Sequence, residues 1–190
     1  MRKRGRRSDE RGAVLVETAI LIPIIVLITF GLIEFSSVYQ SSSVGAGAAR
    51  SAARTASAEA RLSTYATDAS VAAATALKTI APDEPIEMWV YKANDNGYPG
   101  ANGNTSFSSC TTSCIQYSWV PGTKSFDTAN PGGSGWPASS QNACETANWD
   151  SVGVYVKLSH KYITKLFGAT ITLTDHAVFR LEPAPTQLCG

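Results

Sequence analysis

The apolar run from Ala13 to Ile33 constrains this chain more than any other feature, because it holds a single charge, Glu17, and follows a strongly basic N-terminus. At helical rise the run covers roughly 32 Å, close to a hydrocarbon thickness of about 30 Å. Leu, Ile and Val dominate it. Pro23 and Gly31 are tolerated in a membrane helix when neighbouring groups take up the freed backbone. Before the run, Arg2, Lys3, Arg4, Arg6, Arg7 and Arg11 outnumber Asp9 and Glu10. The positive-inside rule then keeps residues 1–12 in the cytoplasm as a leader, makes 13–35 a transmembrane helix, and sends the rest outward. A secretory signal peptide is the rival reading, with Val44-Gly45-Ala46-Gly47-Ala48-Ala49 as small residues for cleavage near Ala49. Against it, an ordinary signal has an apolar core of about 7–15 residues and a cleavage site close behind it.

Glu17 needs its own explanation. An ionisable group inside a membrane helix costs about 2.5–3.5 kcal/mol on insertion scales and marks a functional position by default. A lone glutamate one turn into the helix would simply reach back to the headgroups. Here it stands five residues after Gly12, behind a basic leader, and that combination asks for more.

The segment Arg11-Gly12-Ala13-Val14-Leu15-Val16-Glu17-Thr18-Ala19 resembles a class III prepilin signal. Extended through Pro23 to Gly31-Leu32-Ile33-Glu34, it resembles the TadE-like pseudopilins of tight-adherence (Tad) pilus systems. The resemblance implies cleavage by a membrane prepilin peptidase after Gly12, with Ala13 as the new N-terminus and Glu17 as residue five of the mature chain. It also implies that Glu17 of one subunit neutralises the N-terminal amine of a neighbour, a pairing that would offset the carboxylate's burial and set subunit register. The implied partners are the prepilin peptidase, the platform membrane proteins, other pseudopilins, the major pilin and the lipid bilayer. The implied place is a bacterial cell membrane, single-pass, with the C-terminal domain outside and incorporation into a surface pilus open. Thr18 stands where major Flp-type pilins carry an aromatic residue, and the chain is far longer than such a pilin. Both departures point to the minor, TadE-like class.

At 190 residues there is room for one membrane helix and one modest domain. Net charge is +1, and the basic excess of the leader serves topology, so no nucleic-acid partner is expected. From Ser36 to about Ala81 the chain is rich in Ala, Ser and Thr and lacks proline. Leu62, Tyr65, Ala69, Ala72, Ala73, Ala76, Leu77 and Ile80 recur at helical spacing, and Pro82 marks the stop. The spacing predicts an extracytoplasmic helix over 36–81, with the Gly45 to Ala49 run as a kink or flexible joint, or with Gly45, Ala49 and Ala53 as a stripe for close helix approach. Residues 82–190 read as a disulfide-containing β-rich domain. Strands are expected at Ile86–Tyr91, Ile115–Val120, Val152–Leu158 and Ala169–Leu181, with long Gly/Ser/Asn/Pro loops at 93–113 and 121–148. The last two strands, joined through Tyr162 to Gly168, also resemble the C-terminal part of TadE-like proteins. The fold class is therefore α+β: a long N-terminal helix on a small antiparallel sheet of about four strands.

Cys110, Cys114, Cys144 and Cys189 all follow the membrane run, and an even number on an oxidising side suggests two disulfides. Of three connectivities, Cys110–Cys114 with Cys144–Cys189 is preferred, and pairing of the two loops with each other is the alternative. Cys-x3-Cys without a second close pair is poor zinc spacing. No nucleophile elbow, phosphate loop or metal motif is present, so neither enzymatic activity nor a cofactor is expected. His160 and His176 read as strand residues, and Asn94-Asp95-Asn96-Gly97 as a turn. Trp89 and Trp119 suit the sheet core, while Trp136 and Trp149 are left open as core or carbohydrate-stacking residues. Two further functional classes compete with the pseudopilin: an unprocessed single-pass anchor whose outer sheet binds a surface ligand, and a protein released by signal peptidase near Ala49.

Overall fold

The computed structural model describes residues 7–80, 83–128, 135–144, 148–165 and 168–189, with side chains from Gly12 onward. Pro82 and most of the basic leader lie outside the described residues. The order is α1 (Arg7–Ala58), α2 (Tyr65–Leu77), β1 (Glu84–Ala93), β2 (Cys114–Val120), β3 (Ser125–Thr128), β4 (Ser151–Lys161) and β5 (Thr170–Arg180).

Helix α1 is one unbroken element of 52 residues, about 78 Å long at helical rise. It runs without a break through the Gly45 to Ala49 stretch, so no helix-ending joint stands there. Pro23 lies inside it. The extracytoplasmic helix expected over 36–81 is instead divided. Helix α1 ends at Ala58, the chain reverses, and α2 packs back against it. The reversal turns on Arg61, which adopts a left-handed φ of 68° without being a glycine. Four bonds hold it there. Its backbone N–H donates to Gln141 Oε1 (2.6 Å), and its guanidinium donates to the carbonyls of Leu188 (2.7 Å), Gln141 (3.0 Å) and Ser139 (3.2 Å).

The sheet is antiparallel with spatial order β3-β2-β1-β4-β5. It has five strands rather than about four, because the short β3 pairs with β2 through Trp119↔Phe126 and its neighbours. Central β1 is buried on both faces. Met88 and Val90 join Val152, Val154, Val156 and Leu158 beneath α1 and α2. Trp89 and Tyr91 face the other way, into a second core with Tyr155, Cys110 and Cys114 that is covered by Phe107 of the 94–113 loop. Phe107 stacks on Tyr155 with ring centres 4.5 Å apart. Gly153 sits opposite Tyr91 in the ladder, and a Cβ there would overlap the Tyr91 ring, so only glycine lets the phenol cross β4.

The 94–113 loop is ordered by its own polar side chains. Asn94 Oδ1 accepts from the backbone of Asn96 and Tyr98, and Asn104 Nδ2 donates to the Pro99 and Ser106 carbonyls. Cys110 pairs with Cys114 and Cys144 with Cys189. The second bridge, spanning 45 residues, ties the tail to the loop that enters β4. Trp89 and Trp136 are core residues and Trp119 packs on Phe126. Trp149 is half-buried beside the Arg180 guanidinium.

Candidate functional site

Gly12, Ala13 and Glu17, the candidate residues of the N-terminal segment, all stand on the exposed half of α1. From Gly12 to Ile33 every side chain is exposed except half-buried Gly31, with Leu15 at 71%. Leu, Ile and Val turned outward on all sides have no partner among the described residues, which is the pattern expected of a helix that crosses a membrane. The helix is long and apolar enough to cross a membrane. Gly12 and Ala13 lie within α1, past its first turn, and a Cβ built on Gly12 meets nothing within 4 Å. Glu17 is exposed on the same helix. Thr18 donates its hydroxyl to the Val14 carbonyl (2.7 Å), so its proton is satisfied within the helix.

Where the apolar run ends, α1 becomes tied to the sheet by polar groups. Glu34 is only 1% exposed. Its carboxylate accepts the Ile163 N–H (3.1 Å), the Thr164 N–H and the Thr164 hydroxyl (2.6 Å), all from the turn that joins β4 to β5. Two helical turns on, Ser41 meets Asp83 and His160. The Ser41 hydroxyl contacts Asp83 Oδ2 and lies 3.2 Å from His160 Nδ1, while Asp83 Oδ2 is 2.8 Å from the same Nδ1. Asp83 Oδ1 also accepts the Lys161 N–H (3.0 Å). Ser, His and Asp thus converge, but serine and aspartate share one ring nitrogen. A relay needs them on opposite nitrogens, so the trio works as a buried brace and not as a nucleophile with its base. His160 Nε2 is buried without a partner among the described residues.

The third contact is steric. Gly45 is buried, and a Cβ there would sit 2.8 Å from Leu158 Cδ1 and 2.9 Å from Asp175 Oδ2. Burial raises the Asp175 carboxyl above its ordinary value, with His176 and Arg50 opposing the shift. Beyond Gly45 the helix presents Ala48, Ala49, Ala52, Ala53 and Ala56, all fully buried, and Ser57 donates to the Arg180 carbonyl (2.6 Å).

Residues 12–54 match the model of the family described as TadE-like protein. This segment is TadE-like. The match begins at Gly12 and ends four residues short of the end of α1, so it takes in both the exposed apolar half and the half packed on the sheet. It does not reach the strands or the cysteines. No curated protein and no solved structure matches the chain. Among the described residues, Gly12 and Glu17 are not brought to any other part of the chain. Glu34 closes the segment that carries the resemblance, but its position there assigns it no role, and no motif marks Ser41 or Asp83. A carboxylate placed directly after an apolar run was the available signal for Glu34. Ser41 and Asp83 carried none, because their meaning depends on a histidine far along the chain.

Proposed function

We propose that the chain is a minor pilin, or pseudopilin, of a Tad-type pilus or related secretion apparatus, and that it acts as a structural protein rather than an enzyme. A prepilin peptidase cuts it after Gly12, and Glu17 then receives the N-terminal amine of a neighbouring subunit. The observation that carries this reading is the continuity of the TadE-like helix. An exposed apolar half runs without a break into a half that forms the core of the outer domain. Subunits packed through the first half therefore carry their outer domains in fixed orientation. The first turns of an exposed helix open at little cost, so the Gly12–Ala13 bond is accessible to a peptidase. Platform proteins, the major pilin and other pseudopilins are the partners this role requires.

Sequencing of the mature N-terminus tests the reading. Ala13 is expected; Met1 or Arg2 would sink the processing step. Glu17→Ala is expected to abolish incorporation into filaments while leaving the outer domain folded, and unchanged incorporation would remove the pairing role. An unprocessed anchor with a ligand-binding outer end is the second reading. A cleft of about 810 Å³ favours it, lined by Asp95, Asn96, Asn102, Trp149 and Arg180 at the end of the sheet away from the apolar run. Release near Ala49 fits poorly, because the cut would remove Glu34, Ser41 and Gly45 from their sheet contacts.

A further inference from the structure

The hydrogen bonds of Glu34 fix the height of the β4–β5 turn relative to the membrane. Glu34 follows the last residue of the apolar run, and it holds the backbone N–H groups of Ile163 and Thr164. With Ala13–Ile33 across the bilayer, the turn sits at the outer boundary between acyl chains and headgroups. Its composition suits that level. Ile163 is 61% exposed where the chain enters the turn, and Lys165 is exposed two residues on. On α1, Phe35 (73%) and Tyr39 (71%) are exposed at the same height. Aromatic rings and lysines with apolar stems are the side chains enriched where one end of a group is dry and the other wet.

Between the turn and the helix lies a groove of about 300 Å³ lined by Gly31, Glu34, Phe35, Val38 and Tyr162. The Glu34 carboxylate is already committed to the turn, so the groove offers a ligand mainly carbon. Gly31 lies within the membrane run, and the groove is therefore continuous with the lipid-facing surface of α1. In a bilayer its occupant is the molecule that already surrounds the helix.

We propose that Tyr162, Ile163 and Lys165 after β4 and the facing stretch of α1 form a lipid-binding surface in the outer leaflet, with the groove taking an acyl chain and Lys165 meeting the phosphate of a phospholipid. This inference rests on Ala13–Ile33 being a membrane span. It assigns the domain a second membrane contact, which would hold the sheet at a fixed tilt while α1 is in the bilayer.

The test uses the full chain in phosphatidylcholine nanodiscs, with and without phosphatidylcholine brominated near the carbonyl end of the acyl chain. Ile163→Trp and Phe35→Trp place reporters at two exposed positions, and the native tryptophans give the baseline. For both variants the added emission is expected to fall by about half in brominated lipid, since interfacial side chains sit at that depth. Leu21→Trp, with lipid brominated deeper, reports the span itself. If Leu21→Trp is quenched and neither of the other two is, the turn stands clear of the membrane and the proposal fails while the span holds. If Leu21→Trp is not quenched, the span reading fails and the proposal with it. Concentration-dependent self-association that shields Ile163→Trp from lipid bromine would assign the surface to a second copy of the chain and likewise overturn the proposal.

Discussion

The two halves of α1 invert the usual link between hydrophobicity and burial. From Ala13 to Ile33 the helix carries its largest apolar side chains, and they are exposed. From Ala48 to Ala56 it turns alanines inward, and those are fully buried. Burial here follows the partner and not the side chain. Lipid solvates a helix on all sides and rewards large apolar groups. A second helix and a sheet approach more closely where Cβ is the largest atom between them. Between the two regimes stand Glu34, Ser41 and Gly45, three residues that would be out of place in either. Two hold the sheet with polar bonds and the third by having no side chain.

That contrast can be broken at its buried end first. Ala52→Leu forces a large side chain between α1 and its neighbours, and a loss of about 3 kcal/mol is expected in urea unfolding of the detergent-solubilised chain. The opposite change in the lipid-facing half, Leu21→Ala, should leave that unfolding transition where it was. If both variants moved it equally, the two halves would not differ in kind.

A smaller effect separates two glycines of one turn. Gly47 is exposed with nothing within 4 Å of an added Cβ, so Gly47→Ala is expected to raise stability by about 1 kcal/mol through helix propensity. Gly45→Ala gains the same propensity but must displace the ends of Leu158 and Asp175. Its melting temperature should fall below that of Gly47→Ala, and equal values would mean that α1 does not press on the sheet at Gly45.

The least effect concerns charge at that same contact. Burial raises the folded-state pKa of Asp175. The folded chain then holds a proton that the unfolded chain releases, so stability falls as pH rises from the ordinary carboxylate range through the raised value. Asp175→Asn removes that loss. It should melt higher than the native chain at neutral pH and alike in acid below both values, and a constant offset across pH would contradict the assignment.

Much of this was legible in the residues. The apolar run, its basic flank and the Gly12/Glu17 spacing pointed to a membrane helix of TadE-like kind, since each depends only on neighbours in the chain. Four of the five strands were legible from alternation or from β-branched composition. The fifth, β3, was not, because Ser125–Thr128 is four residues long and pairs only at one edge. The break between α1 and α2 was hidden for a different reason. No glycine or proline stands between Ala48 and Ile80, and Arg61 takes a left-handed φ only because Gln141, Ser139 and Leu188 bind it.

What the sequence determined by itself was therefore local: a helix long enough to span a bilayer, a carboxylate within it, and strands that alternate. The α+β class follows from those. Tertiary structure decided which half of α1 is core, that the helix continues unbroken past Gly45, and that Glu34 holds a turn well over a hundred residues away. It also chose one cysteine connectivity among three. The physical reason is the same in each case. Periodicity and propensity are set by residues a few positions apart, whereas the use of a buried carboxylate or a missing side chain is set by what the fold brings opposite to it.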